Sequence, residues 1–168
     1  MKTVLLFILG LALPFMAFGK AAYYGKHEAI RSAEIIAIVD VQQVAPTNVT
    51  GKGWTYSEVA SGTVEQVIKG DLPTSVQLYG GENFICAQVN YKPGRHLLFL
   101  RRDGDLLAGC NWHLGVLSIE NDQVRWFADD KGISLGWAPL QTVLTEIKTT
   151  LENDRPVLVH LERGSRQP

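Results

Sequence analysis

The chain lacks most of the signatures that announce chemistry. Its four histidines, His27, His96, His113 and His160, contain no H-x-H or H-x-x-x-H pair, so the residue order preforms no metal site. There is no G-x-S-x-G elbow and no reactive-cysteine context. Gly51-Lys52-Gly53 lacks both the spacing and the following Ser or Thr of a phosphate loop. The formal net charge is only −1. That argues against non-specific nucleic-acid binding, which needs a basic face to neutralise phosphates. Beyond the first residues no apolar run is long enough to span a bilayer, so no membrane span is expected in the mature chain. No internal repeat or domain linker is visible. The expectation is therefore no catalytic residue, no cofactor and no metal.

Carboxylates do cluster, as Asp103 with Asp105 and Asp129 with Asp130. Each pair falls in a predicted turn, where water solvates it and its acidity stays ordinary. His96 is expected to face water at a strand start, and His113 to sit in a loop.

What is present begins at the start of the chain. Lys2 precedes an apolar run from Val4 to Met16, and small residues follow at Ala17, Gly19 and Ala21. This pattern predicts a secretory signal peptide over residues 1–21, with cleavage between Gly19 and Ala21. Removal leaves roughly 148 residues, enough for one domain with its own core, expected over 22–155. Residues 156–168 are expected to form a short strand, from Val157-Leu158-Val159-His160-Leu161, or a frayed tail. The exported chain is expected in the periplasm or outside the cell.

Only two cysteines occur, Cys86 and Cys110. In an exported chain the default is one disulfide between them. Closing a loop of about 25 residues would stabilise by roughly 3.5 kcal/mol in the chain-entropy model. The rival is metal binding, because Cys110-Asn111-Trp112-His113 reads C-x-x-H, but no second pair stands at ligand spacing.

The middle of the chain reads as strands. In Ala33–Val44, Ile35, Ala37, Val39 and Val41 alternate on one face, while Ile36 and Ile38 make the other apolar too. Ala45–Tyr56, rich in Gly, Pro and Asn, reads as a loop. It contains Asn48-Val49-Thr50, a glycosylation sequon that matters only in a cell that glycosylates exported chains. Ser57–Ile68 is a second strand, and Gly62 at its middle suggests a bulge or a sharp bend. Ser75–Tyr79 is a third strand. Asn83–Tyr91 is ambiguous between a strand and a short helical turn.

Tyr91–Cys110 then reads as a turn at Lys92-Pro93-Gly94, a strand, a hairpin turn at Asp103-Gly104 and a returning strand. A further hairpin turns at Asn121-Asp122. Leu140, Val143, Leu144, Ile147 and Leu151 recur on one face of a helix, with Pro139 at its first turn. Trp54 and Tyr56 stand in the polar loop as candidate partner-binding anchors. Alternatively they fold back over the end of the sheet.

Together these pieces resemble the amino-terminal domain of tissue inhibitors of metalloproteinases and the related netrin-like modules. The resemblance is carried by His27–Ile36 (HEAIRSAEII), by Val64–Gly70 (VEQVIKG) and by the glycine turn and strand between Cys86 and Cys110. It implies an oligonucleotide/oligosaccharide-binding type barrel of five strands. An extra β-hairpin and the amphipathic helix would follow that mostly β domain. The resemblance also implies that Cys86 is bonded to Cys110. The inhibitors present a mature amino-terminal cysteine to the protease zinc; here Ala21–Lys26 has none. The expected function is thus a non-catalytic module holding a protein or cell-envelope partner through Trp54 and Tyr56. The alternative is protease inhibition through the mature amino terminus.

Overall fold

The computed structural model describes residues 21–84, 86–130 and 132–154. The expected signal peptide and terminal strand or tail lie almost wholly outside them. The chain opens with α1 (Lys26–Ser32), followed by β1 (Ile35–Thr50), β2 (Thr55–Lys69), β3 (Ser75–Glu82), β4 (Gly94–Asp103) and β5 (Leu106–Gly109). A short 3-10 turn, Trp112–Gly115, leads to β6 (Val116–Glu120), β7 (Gln123–Phe127), β8 (Leu135–Pro139) and α2 (Leu140–Asn153).

The strands run in the order β1-β2-β3-β5-β4, and β1 pairs again with β4, so the first five close into a barrel. The sheet continues from β4 through β6 and β7 to β8. The fold is mostly β with a five-stranded barrel, extra strands and a C-terminal helix. It contains one more strand, β8, and one more helix, α1, than the residue pattern suggests. Among the described residues no helix is long and apolar enough to cross a membrane.

The double-sided apolar pattern of β1 explains the layering. Ile35, Ala37, Val39 and Val41 point into the barrel with Leu78, Leu98 and Leu100. Ile36 and Ile38 face outward with Leu97 and Phe99, where α1, α2 and the β6–β7 hairpin cover them. Burying an Ile or Leu completely stabilises by about 1.5–3 kcal/mol, so this second layer holds the helices to the barrel. On α2 the periodic residues Leu140, Val143, Leu144 and Ile147 are all buried against it.

Gly62 marks a real bend. The β1–β2 register shifts between Val41 and Gln43 opposite it. A Cβ at Gly62 would meet the Asp40 carbonyl oxygen at 2.8 Å, so no larger residue fits the close approach.

Several expectations are corrected. Ala45–Tyr56 is not a loop: β1 and β2 extend through it as a long hairpin arm, leaving only Gly51–Trp54 as the tip. β-Branched Thr47, Val49, Thr50 and Thr55 favour extension, and Pro46 is tolerated there because this half of β1 pairs only with β2. His96 is buried, with Nε2 2.8 Å from the Lys92 carbonyl oxygen. Asp130 does more than meet water: it pairs with Lys26 of α1 at 2.6 Å, and that cation holds its carboxyl below the ordinary value. The disulfide is not formed: Cys86 is free and exposed, and Cys110 is free and buried. Cys110 Sγ lies 3.7 Å from Ser32 Oγ, within the layer under α1, whereas Cys86 stands on the outside of the irregular segment after β3.

Candidate functional site

The site is built around the end of the barrel where three chain reversals meet. The first is the β4–β5 turn. Gly104 takes a positive φ of 68°, and Asp103 just before it turns its carboxylate back toward the β1–β2 tip. There it accepts the Gly53 N–H at 2.7 Å, the Trp54 N–H at 3.1 Å and the Tyr56 hydroxyl at 2.8 Å. Asp103 is therefore not a solvated turn residue; it is 5% exposed. Burial acts to raise its carboxyl. The bonds from Tyr56, Gly53 and Trp54, with Arg101 nearby, outweigh that and hold it below the ordinary value. Gly51 is required by this closeness, since a Cβ there would meet Asp103 Oδ2 at 2.3 Å.

The second reversal follows β5. Asn111 and Trp112 both have left-handed backbones, with φ of 69° and 54°. Asparagine tolerates this conformation; for tryptophan it stores on the order of 1–2 kcal/mol of strain. The turn aims the Asn111 side chain at the segment before α1. Its Nδ2 donates to the Tyr24 carbonyl at 3.0 Å, and its Oδ1 accepts the Tyr24 N–H at 2.7 Å. Trp112 Nε1 donates to the Ala22 carbonyl at 3.2 Å. The His113 ring packs edge-on to Tyr23, 5.3 Å between centroids.

The third is the irregular segment after β3, described over residues 83–84 and 86–93. β3 and β5 pair only at Tyr79 and Ala108, and this segment fills the gap. Two carboxylates hold it: Glu82 Oε2 accepts the Val89 N–H at 2.8 Å and Glu58 Oε1 accepts the Tyr91 N–H at 2.7 Å. Burial pushes the Glu82 carboxyl above its ordinary value, and its Oε1 has no hydrogen-bond partner among the described residues. Tyr91 is buried in the barrel, and its hydroxyl is pushed well up by that burial.

These reversals bring three rings together. Trp54 sits 5.5 Å from Phe84 and 5.6 Å from Trp112, and Phe84 stacks on Trp112 at 5.1 Å. All three are half-buried. Beside them a cleft of about 160 Å³ is lined by Tyr24, Trp54, Arg101, Cys110, Asn111 and Trp112, among others.

Of the two expected anchors, Trp54 belongs to this surface and Tyr56 does not. Tyr56 is fully buried, and burial together with its bond to Asp103 raises its hydroxyl far above the ordinary value. It holds the hairpin tip and offers no face to a partner. Asn48 is exposed on the hairpin arm. Phe84, Arg101 and Trp112 are members of the surface that local sequence reading does not single out. The one local signal for Trp112 is an aromatic residue directly after a strand-ending Gly-Cys-Asn.

No family model matches the chain. No curated protein matches it in sequence either. The geometry of this end of the barrel is thus the ground for a functional reading.

Proposed function

We propose that the protein is an exported, non-catalytic binding module that engages a protein or cell-envelope partner through the barrel end bearing Trp54, Phe84 and Trp112. The supporting observation is the three-ring cluster, which stays half-exposed although part-buried polar bonds made by Asp103 and Asn111 fix the chain beside it. Rigid aromatic side chains on a preorganised surface lose little entropy on binding and commonly anchor interfaces. The test is capture of partners from the exported fraction by the mature chain, compared with Trp54→Ala, Trp112→Ala and a distant surface control, Lys148→Ala. Loss of the same partner from both tryptophan variants, with retention by the control, supports the reading. An unchanged partner set in both tryptophan variants refutes it.

A second reading, inhibition of a metalloprotease through the mature amino terminus, is favoured by one observation. Asn111 and Trp112 hold the backbone of Ala22 and Tyr24 by three hydrogen bonds, an ordering that the inhibitors obtain from disulfides. Inhibition of a zinc protease that disappears on acetylation of the mature amine would support this reading. Equal inhibition by both forms, or none, would remove it.

A further inference from the structure

The cleft beside the aromatic cluster contains a guanidinium, that of Arg101, which makes no hydrogen bond or ion pair among the described residues. Arg101 follows Leu97 and Phe99 on the outward face of β4 and pairs in register with Ala108 of β5. It stands where the apolar layer gives way to the cleft, and it is half-buried. The other described arginines differ. Arg31 is paired with Asp154, Arg95 with Glu65, and Arg125 lies over the Trp137 ring. Arg102 is exposed and meets water. The nearest acid in sequence, Asp103, already accepts three hydrogen bonds and makes no ion pair with Arg101.

A guanidinium presents five N–H donors in a planar fork that matches a carboxylate in bidentate fashion. No Arg101 nitrogen is among the buried polar atoms that lack a partner, so water reaches the guanidinium, and a ligand carboxylate would replace that water with a pair of charge-assisted bonds. The surrounding surface then selects what carries the acceptor. Trp54 and Trp112 both line the cleft, and Phe84 packs against the two of them. The opening of about 160 Å³ is comparable with the roughly 150 Å³ that holds one benzene ring. A cation is disfavoured by the guanidinium itself. A phosphate dianion is poorly matched, because among the described residues one guanidinium is the only cationic group lining the cleft, and Asp103 lies close by.

We propose that this cleft is a carboxylate-binding site, in which Arg101 grips the acidic side chain of a polypeptide partner and the Trp54 and Trp112 rings cover an adjoining apolar group. The inference rests on the reading of this barrel end as the binding surface and supplies the chemistry of what is bound there.

The experiment uses the mature chain labelled with ¹⁵N. The Nε–H signal of Arg101 and the indole N–H signals of Trp54 and Trp112 are followed during titration. The probes are acetyl-Phe-Asp-amide, acetyl-Phe-Asn-amide, N-benzoylglycine and inorganic phosphate. The Asp peptide should shift all three signals saturably, and the Asn peptide should bind about tenfold more weakly, as loss of a charge-assisted pair requires. Arg101→Gln should weaken the Asp peptide by about tenfold, and Arg101→Lys by less, since the charge remains without the fork. Equal affinity for the Asp and Asn peptides overturns the proposal, as does the absence of saturable shifts up to about 10 mM. Tighter binding of phosphate, or undiminished binding by Arg101→Gln, also overturns it. Binding of N-benzoylglycine without the Asp peptide overturns the polypeptide source. The Asp–Asn comparison is made on the unaltered chain, so it decides the matter even if a variant fails to fold. Partner capture that survives Arg101→Gln but is lost in Trp54→Ala removes the carboxylate assignment and leaves the surface. Capture that survives both Trp54→Ala and Trp112→Ala removes the surface.

Discussion

Asp103 Oδ2 accepts the Tyr56 hydroxyl at 2.8 Å across the end of the barrel, joining β4 to β2, two strands that do not pair with each other. The bond is buried, and the same carboxylate holds two backbone N–H groups of the hairpin tip. Tyr56→Phe should cost about 1.5–3 kcal/mol, the usual range for a hydrogen bond to a charged group. Asp103→Asn should cost more, because an amide offers one acceptor oxygen where the carboxylate uses two. Urea unfolding midpoints measure both. Equal stability of Asp103→Asn and the parent would show that the tip is held by something else.

The same carboxylate predicts a pH limb on the acid side. Asp103 is held below its ordinary value of 3.8, so its contribution is present above that value and is lost as pH falls through the lower folded one. Glu82 acts in the opposite sense. Burial raises it above 4.5, so its contribution is complete below that value and is lost as pH rises through the raised folded one. Denaturation midpoints across both windows should therefore show Asp103→Asn flattening the lower limb and Glu82→Gln flattening the upper. A limb that persists in its variant is assigned to the wrong group.

The two thiols should differ sharply in reactivity. Cys86 is exposed, whereas Cys110 is buried, and that burial raises its thiol above 9.0 and disfavours the nucleophilic thiolate. Alkylation of the folded, reduced chain should modify Cys86 first, with Cys110 at least about tenfold slower until denaturant is added. Peptide mass mapping over time reads this directly. Simultaneous modification would mean that the layer beneath α1 opens readily.

Ile147 is fully buried where α2 meets the outer apolar layer. Ile147→Ala should cost about 2–5 kcal/mol, the range for deleting a large aliphatic side chain from a core. Lys148→Ala, on the exposed side of the same helix, should change the unfolding midpoint little. Similar losses in both variants would mean that α2 is not packed by this face.

The contrast between α2 and α1 shows what was legible in the chain. α2 repeats its apolar face over 14 residues, and that period stands out. α1 spans only 7 residues, with Ala29 and Ile30 buried, too short for a period to be distinguished from strand-like sequence. The hairpins at Asp103-Gly104 and Asn121-Asp122 were readable because their residues suit left-handed backbone, which Gly104, Asn121 and Asp122 all adopt. The Gly and Pro of the β1–β2 arm misled for the converse reason. Their punctuation is local, and pairing between Pro46 and Glu58 or Val49 and Tyr56 overrides it. The aromatic surface was half legible. Trp54 stands out as an aromatic in a polar stretch, but Phe84, Arg101 and Trp112 join it only through the closure of the barrel. Tyr56 has the same local setting as Trp54, but it buries its ring and gives Asp103 its hydroxyl, whereas Trp54 gives Asp103 only its backbone N–H and keeps its ring half-exposed.

The bonds from Asn111 and Trp112 to Tyr24 and Ala22 also bear on how the protein should be handled. Ala22 forms part of the cleft wall, so any polypeptide joined ahead of it departs from the rim. An affinity handle fused at that end would crowd the opening and mask whatever docks there.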